Sequence, residues 1–145
     1  MKADPRRQMP AHYPHQITLQ TRFADMDVNG HLNNVAIARL FEDARVRYNR
    51  DGPLNPAASG TQSYFVIAHV AIDYLAEGNF PDPMTIGLGI ARIGGSSFTA
   101  ALAAFQNGSC IALCDSVMVH RLRDAGSAPL PEALREHLEA HALRG

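Results

Sequence analysis

Within residues 22–34 stand two carboxylates (Asp25, Asp27), three amides (Asn29, Asn33, Asn34) and one imidazole (His31). A carboxylate can accept a proton or attack a carbonyl, an amide can orient a water, and an imidazole can hydrogen-bond a leaving group. The segment therefore holds the parts for general acid–base or covalent catalysis. The same residue types also build turns, because Asp and Asn side chains bond nearby backbone amides and Asn caps helices. Of the two carboxylates Asp25 is read as scaffold, in keeping with that turn-building role.

The elements that must position these groups can be read from hydrophobic period. Residues 17–23 alternate Ile17, Leu19 and Thr21 against Thr18, Gln20 and Arg22, the pattern of a half-buried strand. Asn33 or Asn34 then caps a helix running to about Asn49, with Ile37, Leu40, Phe41, Ala44 and Tyr48 on one face. Asp51, Gly52 and Pro53 stop it, and residues 54–61 read as a connecting loop. A second strand falls within residues 64–75. Residues 84–93, 97–106 and 110–122 follow as an antiparallel meander, turned at Gly94-Gly95 and Asn107-Gly108. Residues 131–143 give a terminal helix opened by Pro131.

One sheet face is expected to be small: Gly87, Gly89 and Ala91, then Ala101 and Ala103, then Cys110, Ala112, Cys114 and Ser116. Such a face is costly in strand propensity, and close approach of the single long helix would account for it. The expectation is an α+β domain in which an antiparallel sheet of about five strands wraps around one long central helix. Residues 1–16, rich in Pro, are expected to be a flexible arm, residues 17–123 the domain, and residues 124–145 a tail with a short helix.

With 145 residues, 46% of them hydrophobic, there is material for one core and not two. A net charge of −1 removes the basic surplus that non-specific nucleic-acid binding needs, so no nucleic-acid partner is expected. The N-terminal stretch has no apolar core and resembles neither a secretory signal nor a membrane span, which gives a cytoplasmic protein with no membrane partner. Cys110 and Cys114 should face the same way and stay reduced, and no metal site is expected because the seven His are not at ligand spacings.

The order of elements, with Asp25-Met26-Asp27-Val28-Asn29-Gly30-His31-Leu32-Asn33-Asn34 between strand and helix, resembles the hot-dog-fold acyl thioesterases of the hydroxybenzoyl-CoA thioesterase class. Further along, His69-Val70-Ala71-Ile72-Asp73-Tyr74-Leu75 and Arg92-Ile93-Gly94-Gly95-Ser96-Ser97-Phe98 look like that family's second strand and its third-to-fourth-strand turn. The resemblance spans residues 16–123.

It implies a thioesterase that hydrolyses an acyl-CoA or acyl-carrier-protein thioester. Asp27 matches the catalytic carboxylate, as general base or nucleophile. Asn29 and His31 match the assisting amide and imidazole of the plant acyl-carrier-protein branch. Arg92, Gly94, Gly95, Ser96 and Ser97 would bind the phosphopantetheine or nucleotide of the substrate, since a Gly-rich turn exposes amides and Arg and Ser donate to phosphate. Tyr64 and Phe65, with Phe41, would line the acyl pocket. Coenzyme A enters only as part of the substrate, with no other cofactor. Subunits in the family pair through their second strands, which implies a homodimer, or a dimer of dimers, with shared active sites. Val28 and His31 depart from the benzoyl branch, which weakens the transfer of its aromatic substrate to this chain. Glu42 reads as a helix-surface carboxylate paired with Arg39 or Arg45, and His69 and His120 as structural histidines. The rival readings are an enoyl-CoA hydratase on the same fold, whose His follows its Asp by five residues and not four, and a non-catalytic acyl-thioester-binding protein.

Overall fold

The computed structural model describes residues 1–53 and 62–145. The chain forms β1 (His15–Leu19), α1 (Asn34–Arg50), β2 (Ser63–Tyr74), β3 (Met84–Ile93), β4 (Ser97–Gln106), β5 (Ser109–Leu122), a two-residue β6 (Gly126–Ser127) and α2 (Glu132–Ala140). The five main strands make one antiparallel sheet in the order β1-β3-β4-β5-β2, with β6 added beside β5. The connecting loop expected at residues 54–61 lies outside the described residues.

Ile37, Leu40, Phe41, Ala44 and Tyr48 of α1 are buried against one face of the sheet, among Met84, Ile86, Leu88 and Ile90 of β3, Phe98 and Leu102 of β4 and Met118 of β5. Each of these large side chains contributes about 1.5–3 kcal/mol on leaving water, which outweighs the modest helix propensity of the β-branched and aromatic residues in α1. The sheet curls around the helix because one helix stripe must meet several strands.

The small residues do not all line the helix, contrary to the sequence expectation. Ala112 and Cys114 share the helix-side core, but Ala101 and Ala103 belong to a second cluster on the opposite face with Tyr13, Phe105 and Leu113. Gly87 and Gly89 pair with Ala103 and Ala101 and lie on that outer face too. A Cβ on Gly87 would stand 2.8 Å from the Tyr13 ring, and one on Gly89 would stand 2.5 Å from Leu143. The glycines therefore admit the two chain termini, while β3 and β4 present large side chains to the helix. β4 is covered on both faces, which is why Phe98 and every residue from Ala100 to Gln106 is buried.

Residues 1–16 accordingly differ from the loose arm read from their prolines. They form 3₁₀ turns at Pro5–Gln8 and Pro10–His12 and are clamped to the sheet. Arg7 is buried, 2.9 Å from the Asp115 carboxylate, with its Nε donating to the Tyr13 hydroxyl, which in turn donates to Arg7 O at 2.7 Å. The C-terminal tail lies alongside: Ile90 N–H donates to His141 O, and Leu143 N–H to Ile90 O. The first strand starts earlier than its alternation suggested and ends at Leu19, since Phe23–Asp25 turns into a 3₁₀ segment. The two cysteines also part company. A bulge between Ala104 and Phe105 leaves Ile111 unpaired, so Cys110 packs on the outer face and Cys114 on the inner one.

Candidate active site

The segment between β1 and α1 closes on itself through Asp27. Asp27 N–H donates to His31 O at 2.7 Å, and Gly30 N–H to Asp27 O at 3.1 Å. Gly30 sits at φ +83°, where a residue with a Cβ would be strained. One carboxylate oxygen, Asp27 Oδ1, accepts from Asn29 N–H at 2.8 Å and from His31 N–H at 3.1 Å. Its other oxygen makes no hydrogen bond among the described residues, and Asp27 lines an adjoining cleft. The turn role and an open carboxylate oxygen thus coexist in one side chain.

Asp25 is buried and scaffolds the segment. Its carboxylate meets Arg22 at 3.2 Å, and its carbonyl accepts from both the backbone and the side-chain amide of Asn33. Asn33 is the cap of α1: its side-chain oxygen accepts from Ala36 N–H at 2.7 Å. The first two amides of the helix, those of Asn34 and Val35, have no acceptor within the helix and carry the positive end of its dipole.

The cleft has a volume of about 300 Å³ and is bounded by Asp27, His31, Asn34 and Ile37 on one side and by Tyr74 and Glu77 on the other. Tyr74 hydroxyl donates to Asn34 O at 3.0 Å, tying the end of β2 to the start of α1. His31 Nε2 stands 2.9 Å from Glu77 Oε2. Glu77 was missed in the sequence because it lies in an irregular connection between β2 and β3, where no period marks it. Asn29 is exposed, and only its backbone amide faces Asp27.

The remaining candidate residues sit elsewhere in the same subunit. Tyr64 and Phe65 begin β2, paired with Arg121 and His120, whereas Tyr74 at the other end of the strand pairs with Ala112. Ten residues of strand separate Tyr64 from Tyr74, about 30 Å. Arg92 to Ser97 occupy the corresponding far end of β3. There Gly94 O accepts from Arg135 of α2 at 2.8 Å, Gly95 O from Leu130 N–H, and Gly94 N–H donates to Ser97 O, so much of that turn's backbone is spent on the C-terminal segment. His120 is buried and satisfied, with Nε2 at 2.8 Å from Ser63 Oγ and Nδ1 at 3.1 Å from Ala128 O. His69 is exposed on β2.

Glu42 forms no ion pair with Arg39 or Arg45 among the described residues, correcting the sequence reading. Arg45 is instead buried under the helix and donates to Ser116 Oγ at 3.0 Å. Burial pushes the Cys110 thiol up to about 11 and raises that of Cys114 as well, so neither offers a thiolate near neutral pH. Among the described residues no three His, Cys, Asp or Glu side chains are placed to hold a metal ion, and no helix is long and apolar enough to cross a membrane.

An antiparallel sheet curled around one long helix, with a polar cleft at the helix N-terminus, defines the hot-dog fold of acyl-thioester enzymes. The chain belongs to the thioesterase-like superfamily, whose family model matches residues 21–138. Among solved structures it resembles the PA5185 protein of Pseudomonas aeruginosa strain PAO1, with 30% identity over 92% of this chain and 95% of that one and a TM-score of 0.83. A thioesterase from Thermus thermophilus, solved with coenzyme A and Zn, shares 32% identity over 89% of this chain and 94% of that one, with a TM-score of 0.75. The YsmA protein of Bacillus subtilis strain 168 is 31% identical over 81 residues, 56% of this chain; the match spans about half of that relative's length (54%).

Proposed function

We propose that the protein hydrolyses an acyl-CoA thioester, with Asp27 as the group that activates water or attacks the carbonyl. The observation that carries this reading is the state of the Asp27 carboxylate, held by two backbone amides through Oδ1 while Oδ2 stays open beside the cleft at the start of α1. A thioester carbonyl directed at the first amides of α1 would develop its negative charge against the positive end of the helix. Asp27 Oδ2 would take a proton from water as the oxygen adds to the carbonyl carbon. Collapse of the tetrahedral intermediate would then break the C–S bond, and the departing sulfur would receive the proton that Asp27 had taken, restoring the carboxylate. In the alternative covalent route Asp27 itself attacks and water resolves the mixed anhydride. His31, whose Nε2 stands 2.9 Å from Glu77, would hydrogen-bond the sulfur or the thioester through its other ring nitrogen. Asn29 positions the carboxylate through its backbone amide. Coenzyme A bound in the Thermus thermophilus relative supports a CoA-type substrate, and the route draws only on this chain's residues.

The working unit in this reading is a homodimer paired through β2. That strand is one edge of the sheet and exposes Val66, Ile67, Val70 and Tyr74, a combination that invites pairing with another chain. Antiparallel pairing about the middle of the strand would bring Tyr64 and Phe65 of the partner subunit toward Tyr74, and with them the far-end turn of residues 92–97. The acyl-pocket and CoA-binding roles of those residues would thus be exercised across the interface.

The test is thiol release by the purified full chain from a panel of acyl-CoAs, short to long and one aryl, run beside crotonyl-CoA hydration. Thiol release from at least one of them is expected. Hydration without thiol release, or binding without turnover, would overturn the proposal.

A further inference from the structure

We propose that the cleft around Arg45 is closed by a second copy of this chain through a reciprocal ion pair, Arg45 of each subunit against Glu42 of the other. The inference rests on the β2 pairing described above and is independent of the hydrolytic chemistry. Arg45 is 7% exposed, and among the described residues its bonds run from Nη1 alone, to Ser116 Oγ at 3.0 Å and Cys114 Sγ at 3.8 Å. No carboxylate lies within 4 Å of it among the described residues, and residues 54–61 contain neither Asp nor Glu. A desolvated guanidinium without a counter-charge is costly, so an anion from outside the subunit is expected to complete it.

Arg45 lines a cleft of about 470 Å³ together with Glu42, Val46, Ile67, Val70 and Met118. Val46, Ile67 and Val70 are 48%, 47% and 40% exposed, the profile of an apolar interface centre left uncovered. Glu42, also exposed, has no cationic partner among the described residues. Its negative charge in the same cleft disfavours a free anionic ligand there, whereas a second copy supplies a carboxylate and needs a cation in return.

The geometry of β2 makes the exchange mutual. Residues 67 and 70 would face opposite sides of a regular strand, but the register shift between Ile67 and His69 returns both to the cleft. This irregularity is at the midpoint of Ser63–Tyr74. A two-fold axis through the middle of paired β2 strands therefore passes beside the part of α1 that shares the cleft with Ile67 and Val70, namely Glu42 to Asn49. An isologous interface repeats each contact, so a Glu42–Arg45 pair made once is made twice.

The experiment is sedimentation equilibrium on the full chain and its variants. Glu42→Arg sets like charges against each other at both contacts and is expected to weaken self-association by about tenfold or more; Glu42→Gln should weaken it less. Arg45→Glu should weaken self-association likewise, while an equimolar mixture of the Glu42→Arg and Arg45→Glu chains should form a heterodimer in which both pairs are restored. Glu42 is on the helix surface, so its variants fold irrespective of the buried Arg45 and decide the matter if Arg45→Glu does not fold. A dimeric wild type indifferent to Glu42→Arg overturns this inference alone. A wild type monomeric at all concentrations overturns the β2 pairing and the shared site with it, whereas the effect of Glu42→Arg is read from mass alone and leaves the thiol-release test of Asp27 separate.

Discussion

Replacing Asp27 by Asn and by Ala separates its two jobs. In Asp27→Asn the side-chain carbonyl still accepts from Asn29 N–H and His31 N–H, now 2.8 and 3.1 Å from Oδ1, so the turn is kept. What is lost is the open oxygen, replaced by an NH2 that can neither take a proton nor attack. A general base supplies about 10²–10⁴ in rate, or about 3–5 kcal/mol of transition-state stabilisation, and kcat should fall by that factor with Tm within about 1 °C of wild type. Asp27→Ala removes the acceptor as well. The two amides lie in an exposed turn where water can replace the carboxylate, so the extra cost is about 0.5–1.5 kcal/mol, a Tm lower by about 2–6 °C. The assay pairs thiol release on the best acyl-CoA with calorimetry on the same samples. Asp27→Asn retaining more than about a third of wild-type kcat would refute the catalytic role and leave Asp27 a turn residue. Activity that tracks Tm across both variants would do the same.

Two further perturbations probe the frame around the site. Gly87→Ala drives a Cβ into the buried Tyr13 ring at 2.8 Å; it should destabilise by about 1–3 kcal/mol, and the loss should vanish or reverse in a Tyr13→Ala background, where alanine's better strand fit is no longer opposed. Denaturant unfolding of the four proteins closes this cycle, and an unchanged penalty without Tyr13 would count against the packing argument. His15, His137 and His141 cluster around Tyr48, where burial first and then the neighbouring imidazoles lower the titration of His15 and His137 below the ordinary 6.5, with Asp51 partly opposing at His15. The unfolded chain then binds more protons once pH drops under about 6.5, so stability present above that pH should be lost progressively as pH falls towards the lowered folded-state values. Thermal melts from pH 8 to 5 should show this decline, and a slope no shallower in His137→Gln would locate its origin elsewhere.

Much of the frame was legible because it rests on local periodicity. The apolar stripe of α1, the turns at Gly94-Gly95 and Asn107-Gly108, and the bounds of β3 and β4 fall where the residues put them. What period alone does not disclose is which side of a sheet the helix occupies. Gly87, Gly89, Ala101 and Ala103 do share a face, but whether a helix or a chain terminus covers it depends on contacts with Tyr13 and Leu143, far away in sequence. Prolines in residues 1–16 suggested disorder, whereas Arg7 and Tyr13 anchor that segment through Asp115 and Phe105, far along the chain. A bulge is equally silent: no residue type marks the extra Ile111 that turns Cys110 away from Cys114.

At the site the same division between local and distant information decides which groups are visible. Asp27, Asn29, Gly30 and His31 form one closed turn, so their neighbourhood is written in consecutive residues, and Asn33 caps the next helix for the same reason. Glu77 reaches His31 only because Leu32 N–H donates to Gly78 O, bringing a remote connection against the turn. Tyr64, Phe65 and the turn at residues 94–97 belong with Asp27 in the acyl-thioester reading, yet one subunit holds them at opposite ends of its strands. Antiparallel pairing of a strand with a copy of itself sets the start of one beside the end of the other. In the proposed dimer the free edge of β2 is therefore the element through which a cleft with a carboxylate at one end would meet the residues proposed to bind substrate at the other.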